Sequence, residues 1–276
     1  MATEEAGEPG PSGPRNDNKS PEYRLQYMTA SEFSAQLETI RVAVIPLGAT
    51  EQHGEHLATG VDGIVAERLA EQIVSRGRGR AIMTPPIYIG FSPHHQNFPG
   101  TLTARPQTIE ALLFDIISSL KNYGISRFLI VNGHGGNLAF LPAWMSQTQD
   151  MLDVMIAVAH WSMLGRDVVD EIKTSDVIGH ACEVETSLVL DLAPELVHHP
   201  LPGPSPVLAA PHSLVSGHVV PERSVGIFMP RPFNKITANG AVGDPSSASS
   251  AGGAKLREAV VERAVEYLEW FSNYQA

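Results

Sequence analysis

The sequence predicts an α/β fold in three layers, α/β/α, with a mostly parallel central sheet between two layers of helices. Short apolar runs of strand length recur along the chain, as in RVAVIPLG at 41–48 and RFLIVN at 127–132. Segments with helical spacing of apolar residues separate these runs. Strands that alternate with helices pair in parallel, and the connecting helices cover both faces of the sheet.

Each predicted element has its own local signal. A helix is expected at 29–40, where Thr29 or Ser31 can cap the first turn. The run at 41–48 is rich in β-branched residues and ends in glycine, which is typical of a buried strand. A helix at 61–75 places apolar residues such as Ile64 and Leu69 on one face. The remaining predicted elements are strands at 81–89, 127–132 and 153–160, and helices at 107–123, 137–149, 183–192 and 254–271.

Two stretches lack periodic patterning. Residues 1–22 are rich in Gly, Pro, Ser and charge, and are interpreted as a disordered tail. The folded domain is then expected to span 23–276, which is long enough to bury a substantial core. The stretch 198–248 is rich in Pro, Gly and Ser, so we expect long loops around the mouth of the site and at a subunit contact.

Composition narrows the functional classes. The net charge of −11, without a cluster of Lys and Arg, argues against a nucleic-acid or anionic-membrane partner. The single cysteine, Cys182, excludes a disulfide within the chain and suits a reducing cytoplasm. No apolar run approaches the about 20 residues of a membrane helix, and the N-terminus lacks a signal-peptide core. We expect a cytoplasmic protein that binds neither nucleic acid nor membrane.

The first polar motif follows the predicted strand at 41–48. It is EQHGEH at 51–56, with Asp62 close behind. Zn²⁺, Mn²⁺ and Fe²⁺ bind this mixture of imidazole nitrogen and carboxylate oxygen. Glu51 and His53 point the same way if their segment is extended. A turn can bring Asp62 back towards them, where its carboxylate could bridge two metals. The alternative is a solvated polar loop.

A second motif, NGHGGN at 132–137, follows the strand at 127–132 and opens a helix. Its glycines allow close approach of the backbone to a metal or ligand, and they present His134 at the carboxyl end of a strand. A glycine-rich turn of this kind could instead cradle a phosphate. However, it lacks the pattern of a phosphate-binding loop, and histidine suits that role poorly.

Two further segments carry candidate site residues. In HACEVETS at 180–187, His180 precedes Glu183 and Glu185. One of these Glu could simply favour the helix dipole, but that reading does not account for His180. The loop SPHH at 92–95 runs into FPGT at 98–101, and Ser92 and His95 could bind substrate or serve a structural loop. His160 and Trp161, at the end of the strand at 153–160, could line the pocket.

Together these four segments resemble the creatininase family of metal-dependent amidohydrolases. The family pattern E-Q-H-G-x-H-L followed by Asp matches 51–62, and its F-P-G-T, N-G-H-G-G-N and H-A-x-x-x-E-T-S segments match 98–101, 132–137 and 180–187. Gly243-Asp244-Pro245 is similar to a further family segment. The resemblance covers about 42–267.

The resemblance implies a role for each matching residue. Glu51, His53, Asp62 and His134 are expected to bind two divalent metal ions per chain, Zn, Mn or Fe, with Asp62 as the bridge. His180 is expected to act as the proton shuttle. Creatinine-hydrolysing members have a ligating Glu where this chain has Gly136. We therefore expect another carboxylate to complete the site. Glu185 is the first choice for that ligand and Glu183 the second, with Glu183 otherwise expected among the catalytic residues.

The expected function is hydrolysis of a carbon–nitrogen bond other than a peptide bond, in a small amide or cyclic amide, by a hydroxide that bridges the metals. Family members also include a formylaminopyrimidine deformylase and the peptidase of mycofactocin maturation, so these substrates remain alternatives, as does a carbon–carbon or ester bond. A non-catalytic metal-binding protein of the same fold is a further alternative. The family commonly forms hexamers, which implies a homo-oligomer.

Overall fold

The computed structural model describes residues 22–176, 178–204, 208, 215–216 and 227–274. The tail expected at 1–22 lies outside these residues except for Glu22, whose carboxylate accepts a hydrogen bond from Arg24 Nε at 2.9 Å. The first α-helix, α1 (Ala30–Gln36), is capped by Thr29. The Thr29 hydroxyl accepts from Glu32 N, and the Glu32 carboxylate accepts from Thr29 N. This reciprocal pair satisfies backbone donors that the helix leaves free, and it confirms the predicted cap.

Four parallel strands form the central sheet, in the order β2-β1-β3-β4. They are β1 (Val42–Leu47), β2 (Ala81–Met83), β3 (Arg127–Asn132) and β4 (Met155–His160). β1 pairs with β3 as far as Leu47 and Asn132, and β3 pairs with β4 as far as Asn132 and His160. The carboxyl ends of these three strands therefore finish level with one another.

Helices cover both faces of this sheet. After α1 they are α2 (Val61–Arg76), α3 (Pro106–Lys121), α4 (Leu141–Leu152), α5 (Trp161–Leu164), α6 (Arg166–Ile172), α7 (Glu183–Leu192) and α8 (Ser250–Asn273). Val42 and Val44 of β1 pack with α2, α6, α7 and α8. Ala43, Ile45 and Leu47 point the other way and pack with α1, α3 and α4. This alternation buries both faces of the strand and confirms the three-layer α/β/α fold.

Proline accounts for the bounds of two elements that differ from the sequence prediction. The strand expected at 81–89 ends at Met83, because Pro85 and Pro86 have no N–H to extend the ladder. The helix expected at 137–149 begins only at Leu141, with Pro142 in its first turn. A 3₁₀ helix (Gly135–Ala139) precedes it.

Part of the segment expected to form loops at 198–248 lies outside the described residues. Within the described part, β5 (Val215–Ser216) and β6 (Ile227–Phe228) pair in parallel. Short 3₁₀ turns, Phe233–Lys235 and Pro245–Ser247, lead into α8. None of the helices at the described positions combines the length and apolarity that a bilayer span requires.

The topology fixes where a ligand would bind. β1 and β3 are neighbours in the sheet, but the chain leaves them towards opposite faces. α2, which follows β1, packs on one face, and α4, which follows β3, packs on the other. Such a switch point opens a crevice beyond the carboxyl ends of the two strands, where open α/β sheets bind their ligands.

Candidate metal centre

Side chains from both of these strand ends meet in the crevice. The loop after β1 supplies Glu51 and His53, the loop after β3 supplies His134, and the first turn of α2 supplies Asp62. Gly133 allows the close approach that this requires, because a Cβ there would lie 2.1 Å from Asp62 O. All four side chains are buried.

His53 forms one group of potential ligands with Asp62 and Glu185. Its Nδ1 donates to the backbone oxygen of Glu51 at 3.0 Å, which leaves Nε2 to face the two carboxylates. Nε2 lies 3.2 Å from Asp62 Oδ1 and 3.8 Å from Glu185 Oε1. A backbone carbonyl that fixes the tautomer of an imidazole in this way is typical of histidines that bind metals.

His134 forms a second group with Glu51 and Asp62. Its Nε2 donates to Phe91 O at 3.1 Å, which directs Nδ1 towards the carboxylates. Nδ1 lies 3.0 Å from Asp62 Oδ2 and 3.3 Å from Glu51 Oε1. Asp62 thus offers one oxygen to each group, which is the arrangement of a carboxylate that bridges two ions.

The carboxylates of the crevice raise the pKa values of two imidazoles. Burial opposes the charged form of His134, but the carboxylates of Glu51 and Asp62 raise its pKa well above the usual range. Burial likewise opposes protonation of His53, whose pKa is raised by Asp62 and Glu185. Among the described residues, Glu51 Oε2 and Asp62 Oδ2 have no hydrogen-bond partner although both are buried. Buried acceptors without a donor are costly, so a cation between them would relieve this cost.

The donor set fits divalent metals. The candidate ligand atoms of each group lie within 4.8 Å of one another, and they combine imidazole nitrogens with carboxylate oxygens. That combination suits zinc, manganese and iron. The described residues form four overlapping groups of this kind, of which His53–Asp62–Glu185 and Glu51–Asp62–His134 share only Asp62.

The two glutamates of α7 have different environments. Glu185 directs Oε1 at His53, and its Oε2 accepts from Ala181 N at 2.6 Å. This bond holds Ala181 in a left-handed conformation, with φ of 48°, where the chain turns into α7. Glu185 thus presents a carboxylate oxygen to His53 and Asp62, and its role as the replacement ligand stays a prediction.

Glu183 is not brought into the cluster. Its Oε1 accepts from Ser175 N at 2.7 Å and from Thr174 N at 3.0 Å, and its Oε2 accepts from Asp244 N at 2.9 Å. These hydrogen bonds lower the pKa of Glu183, although burial alone would raise it. The buried carboxylate joins α7 to the segments at 174–175 and 243–245. Its geometry supports a structural role instead of the expected catalytic or ligand role.

The unprotonated ring nitrogen of His180 faces the cluster. Its Nε2 donates to Gln52 O at 2.6 Å, so Nδ1 carries no proton in the neutral ring. Nδ1 points at Glu51 Oε1 across 3.7 Å. Burial and the neighbouring His53 lower the pKa of His180, which keeps the ring neutral and able to accept a proton.

The two residues predicted from the loop at 92–95 have different contacts. His95 reaches the cluster: its Nδ1 accepts from Gln52 Nε2 at 2.7 Å, and its Nε2 lies 3.5 Å from Glu51 Oε1. Ser92 lies behind His134, with its Oγ 3.2 Å from His134 Nε2. Ser92 therefore supports the imidazole and does not line the cavity.

A cavity of about 410 Å³ opens over the cluster. Trp161 lines it and donates from Nε1 to Gly133 O at 3.2 Å, and His160 lines it beside Trp161. Several lining residues escape prediction from the sequence, and His94 and Phe233 are two of them. His94 stacks on His134 with ring centroids 6.0 Å apart, and the SPHH motif could have indicated it. The ring centroids of Phe233 and His95 lie 4.2 Å apart, but Phe233 comes from a segment without periodic patterning, so the sequence gives no basis for predicting this contact.

Gly136 is tightly enclosed. A Cβ at this position would lie 2.3 Å from His134 Nε2 and 2.4 Å from Phe91 O. The hydrogen bond between those two groups occupies the space that a side chain would need. The local structure is therefore built around glycine, and the third carboxylate comes from α7.

The three-layer α/β/α fold and the cluster of histidines and carboxylates are together typical of α/β proteins that bind metal ions. The family model for creatininase, described as creatinine amidohydrolase, matches residues 26–268. The chain therefore belongs to the creatininase family of hydrolases.

Relatives in this family carry out different hydrolyses. The mycofactocin precursor peptide peptidase of Mycolicibacterium smegmatis is 30% identical, over 81% of this chain and 83% of its own. The 3-dehydro-scyllo-inosose hydrolase of Thermotoga maritima is 29% identical, over 63% of this chain and 57% of its own. Family membership therefore does not determine which bond is cleaved.

Solved creatininases share the fold. One structure of creatinine amidohydrolase superposes with a TM-score of 0.78 at 23% identity, covering 93% of this chain and 100% of that one. A mutant creatininase of the Zn–Zn type superposes with a TM-score of 0.74 at 24% identity, covering 91% of this chain and 99% of that one. The manganese form superposes with a TM-score of 0.73 at 24% identity and with the same coverage. Members of this fold thus include proteins solved with zinc and with manganese.

Proposed function

We propose that this chain is a hydrolase that cleaves a carbon–nitrogen bond, in a small amide or cyclic amide, with the help of two divalent metal ions. The observation that carries the proposal is the carboxylate of Asp62, whose two oxygens belong to two different groups of ligand atoms. Zinc, manganese and iron all suit these ligands.

Each proposed ligand is assigned to one of the two ions or to both. His53 and Glu185 would hold one ion, Glu51 and His134 would hold the other, and Asp62 would contact both. When bound, such ions supply an activated water and a polarised carbonyl. The buried hydrogen bonds to Glu51 O and Phe91 O keep both imidazoles oriented for this task.

His180 is the proposed proton carrier. Its Nδ1 is the basic nitrogen, because Nε2 is engaged with Gln52 O. Nδ1 would take a proton from the attacking water, and the imidazolium so formed would face the Glu51 carboxylate. Donation from Nδ1 to the amide nitrogen would then release the amine. Glu183 has no part in this scheme, since backbone amides engage its carboxylate.

The cavity supports a small substrate. Its volume of about 410 Å³ falls within the range of small-molecule sites. Trp161 and His95 border it and would contact the substrate, whereas Ser92 would act through His134. A peptide C-terminus is the second candidate substrate, and the similarity to a mycofactocin precursor peptide peptidase favours it.

A screen of the metal-loaded protein tests the proposal. Zinc- and manganese-loaded samples would be incubated with small amides, cyclic amides, formamides and short peptides, and products followed by mass spectrometry. We expect a product pair that together gains one water, and loss of this activity in a folded Asp62→Ala variant. Metal binding without cleavage of any carbon–nitrogen bond would instead support the non-catalytic alternative.

We also propose that the protein is a cytoplasmic homo-oligomer. The lone cysteine, Cys182, is buried, and burial raises its pKa to about 12, so it suits a reducing compartment and is not a nucleophile. Light scattering of the purified protein would measure the mass, and a hexamer is the expected result. A monomer would contradict the oligomer.

A further inference from the structure

One positively charged side chain lines the cavity. Arg166 is the sole Lys or Arg among the described residues that line it. The floor of the same cavity holds three carboxylates, those of Glu51, Asp62 and Glu185, which belong to the proposed metal centre. A guanidinium has no acceptor atom and does not ligate metal ions, so Arg166 can bind a different group of a ligand.

The Arg166 guanidinium has free donors. Its side chain is 71% exposed, and its Nε donates to Asp170 Oδ2 at 3.0 Å. Within the described part of the chain its two terminal nitrogens make no hydrogen bond. Exposed pairs of this kind contribute little stability. Asp170 also accepts from Lys173 Nζ at 2.7 Å, so Arg166 can leave Asp170 without leaving that carboxylate unpaired.

The backbone that carries Arg166 is held firmly. Gly165 packs so closely on α8 that a Cβ there would lie 2.5 Å from Leu256 Cδ1. Gly165 N donates to Trp161 O, and Val169 N donates to Gly165 O, each at 2.9 Å. The chain therefore runs from the carboxyl end of β4 to Arg166 over a fixed path, and only the long side chain is free to move.

Apolar side chains also line the cavity that Arg166 lines. Trp161, Met163, Val169 and Ile178 are among them. A ligand that spans it would place an apolar body here, with one polar group at the metal centre and another at the guanidinium. Guanidinium binds carboxylates in a two-pronged manner, because its donors match the two oxygens.

We propose that Arg166 forms a carboxylate subsite, and that the substrate is an amide that carries a carboxylate beyond an apolar portion. This inference rests on the proposed function, because it names the substrate class of the same site. The proposed subsite favours acylated amino acids and peptide C-termini as substrates over neutral amides and cyclic amides.

Binding of two matched probes tests the subsite without relying on turnover. N-acetyl-6-aminohexanoic acid and its neutral carboxamide differ only in the group that would meet Arg166, and in both an apolar chain separates that group from the acetamide. Calorimetry on the zinc-loaded protein would compare wild type with Arg166→Met and Arg166→Lys. We expect wild type to prefer the acid, and Arg166→Met to weaken binding of the acid by about 10- to 100-fold while leaving the carboxamide unchanged. Lysine should restore part of the affinity, since it keeps the charge but not the planar fork.

Asp170→Asn is the matched control, because it removes the present partner of Arg166 and keeps the guanidinium. It should bind the acid at least as well as wild type. Equal binding of the acid by wild type and Arg166→Met would overturn the subsite, as it would mean that the carboxylate binds the metals directly. If the variant loses binding but no amide is ever cleaved, the subsite stands and the hydrolase proposal falls.

Discussion

Asp62 Oδ2 lies 3.0 Å from His134 Nδ1. The opposite nitrogen of the ring donates to Phe91 O, so in the neutral ring two lone pairs face each other. Such a contact is unfavourable unless a proton or a metal ion lies between the two atoms.

Metal binding to the apo protein should release protons. Although burial disfavours it, Glu51 and Asp62 raise the pKa of His134, so the metal-free ring is protonated at neutral pH. A group with a raised pKa stays charged below that pKa, so an ion must expel its proton, and affinity should fall as pH decreases. Calorimetry at pH 7 in two buffers of different ionisation enthalpy would measure the release. Identical heats in both buffers would contradict the protonated state.

The two glutamates of α7 should respond differently to the same change. Glu185→Gln should lower metal content, because Glu185 Oε1 faces His53 Nε2. Glu183→Gln should keep its metal and lose about 1.5–3 kcal/mol of stability for a lost charge-assisted hydrogen bond, since its carboxylate accepts from Ser175 N and Asp244 N. Metal analysis and chemical denaturation would be run on both variants. Metal loss in Glu183→Gln alone would reverse the assignment.

A methyl group at Gly136 should damage the site, whereas one at Gly135 should not. At Gly136 the new Cβ would collide with His134 Nε2 and Phe91 O, and at Gly135 nothing lies within 4 Å. Gly136→Ala should therefore break the bond that orients His134 and lower metal affinity by about 10- to 100-fold, as loss of such supporting bonds does. Gly135→Ala is the control, and competition with a chelating dye gives the affinities. Equal affinities would refute the role of the Phe91 bond.

His180→Ala should slow the reaction and keep the metals. Its Nδ1 lies 3.7 Å from Glu51 Oε1, and His180 belongs to neither of the two groups that share Asp62, although it forms a further group with Glu51 and His53. Loss of a general acid–base reduces turnover by about 10²–10⁴-fold. Turnover and metal content would be measured side by side on an amide identified by the screen. If both fall together, His180 is a ligand, and full activity would remove it from the mechanism.

Much of this architecture could be predicted because its signals are local. The bounds of β3 and α7 follow directly from runs of apolar residues. The choice between Glu183 and Glu185 could not be made locally, because it depends on which side of α7 faces His53 across the crevice. Likewise, Phe233 is brought to His95 only by tertiary packing of an aperiodic segment, so no periodic pattern could indicate it.

The resemblance to the creatininase family supplied roles for residues, but it could not supply the contacts that distinguish this chain. The carboxylate missing at Gly136 is an example. The sequence indicates that a replacement is needed, whereas the crowding of Gly136 by His134 and Phe91 appears only once the strands are assembled. Arg166 is another example, since α6 brings it to the cavity through the packing of Gly165 on α8.

Metal content per chain in Asp62→Ala tests the central claim most directly. Asp62 offers one oxygen to each group, so its removal should empty both positions, whereas His53→Ala should empty mainly one. The variants and wild type would be loaded with zinc, freed of excess ion and analysed by mass spectrometry for metal, with circular dichroism as the check of folding. We expect two ions in wild type, about one in His53→Ala and none in Asp62→Ala. A folded Asp62→Ala variant that keeps the full metal content of wild type would contradict it.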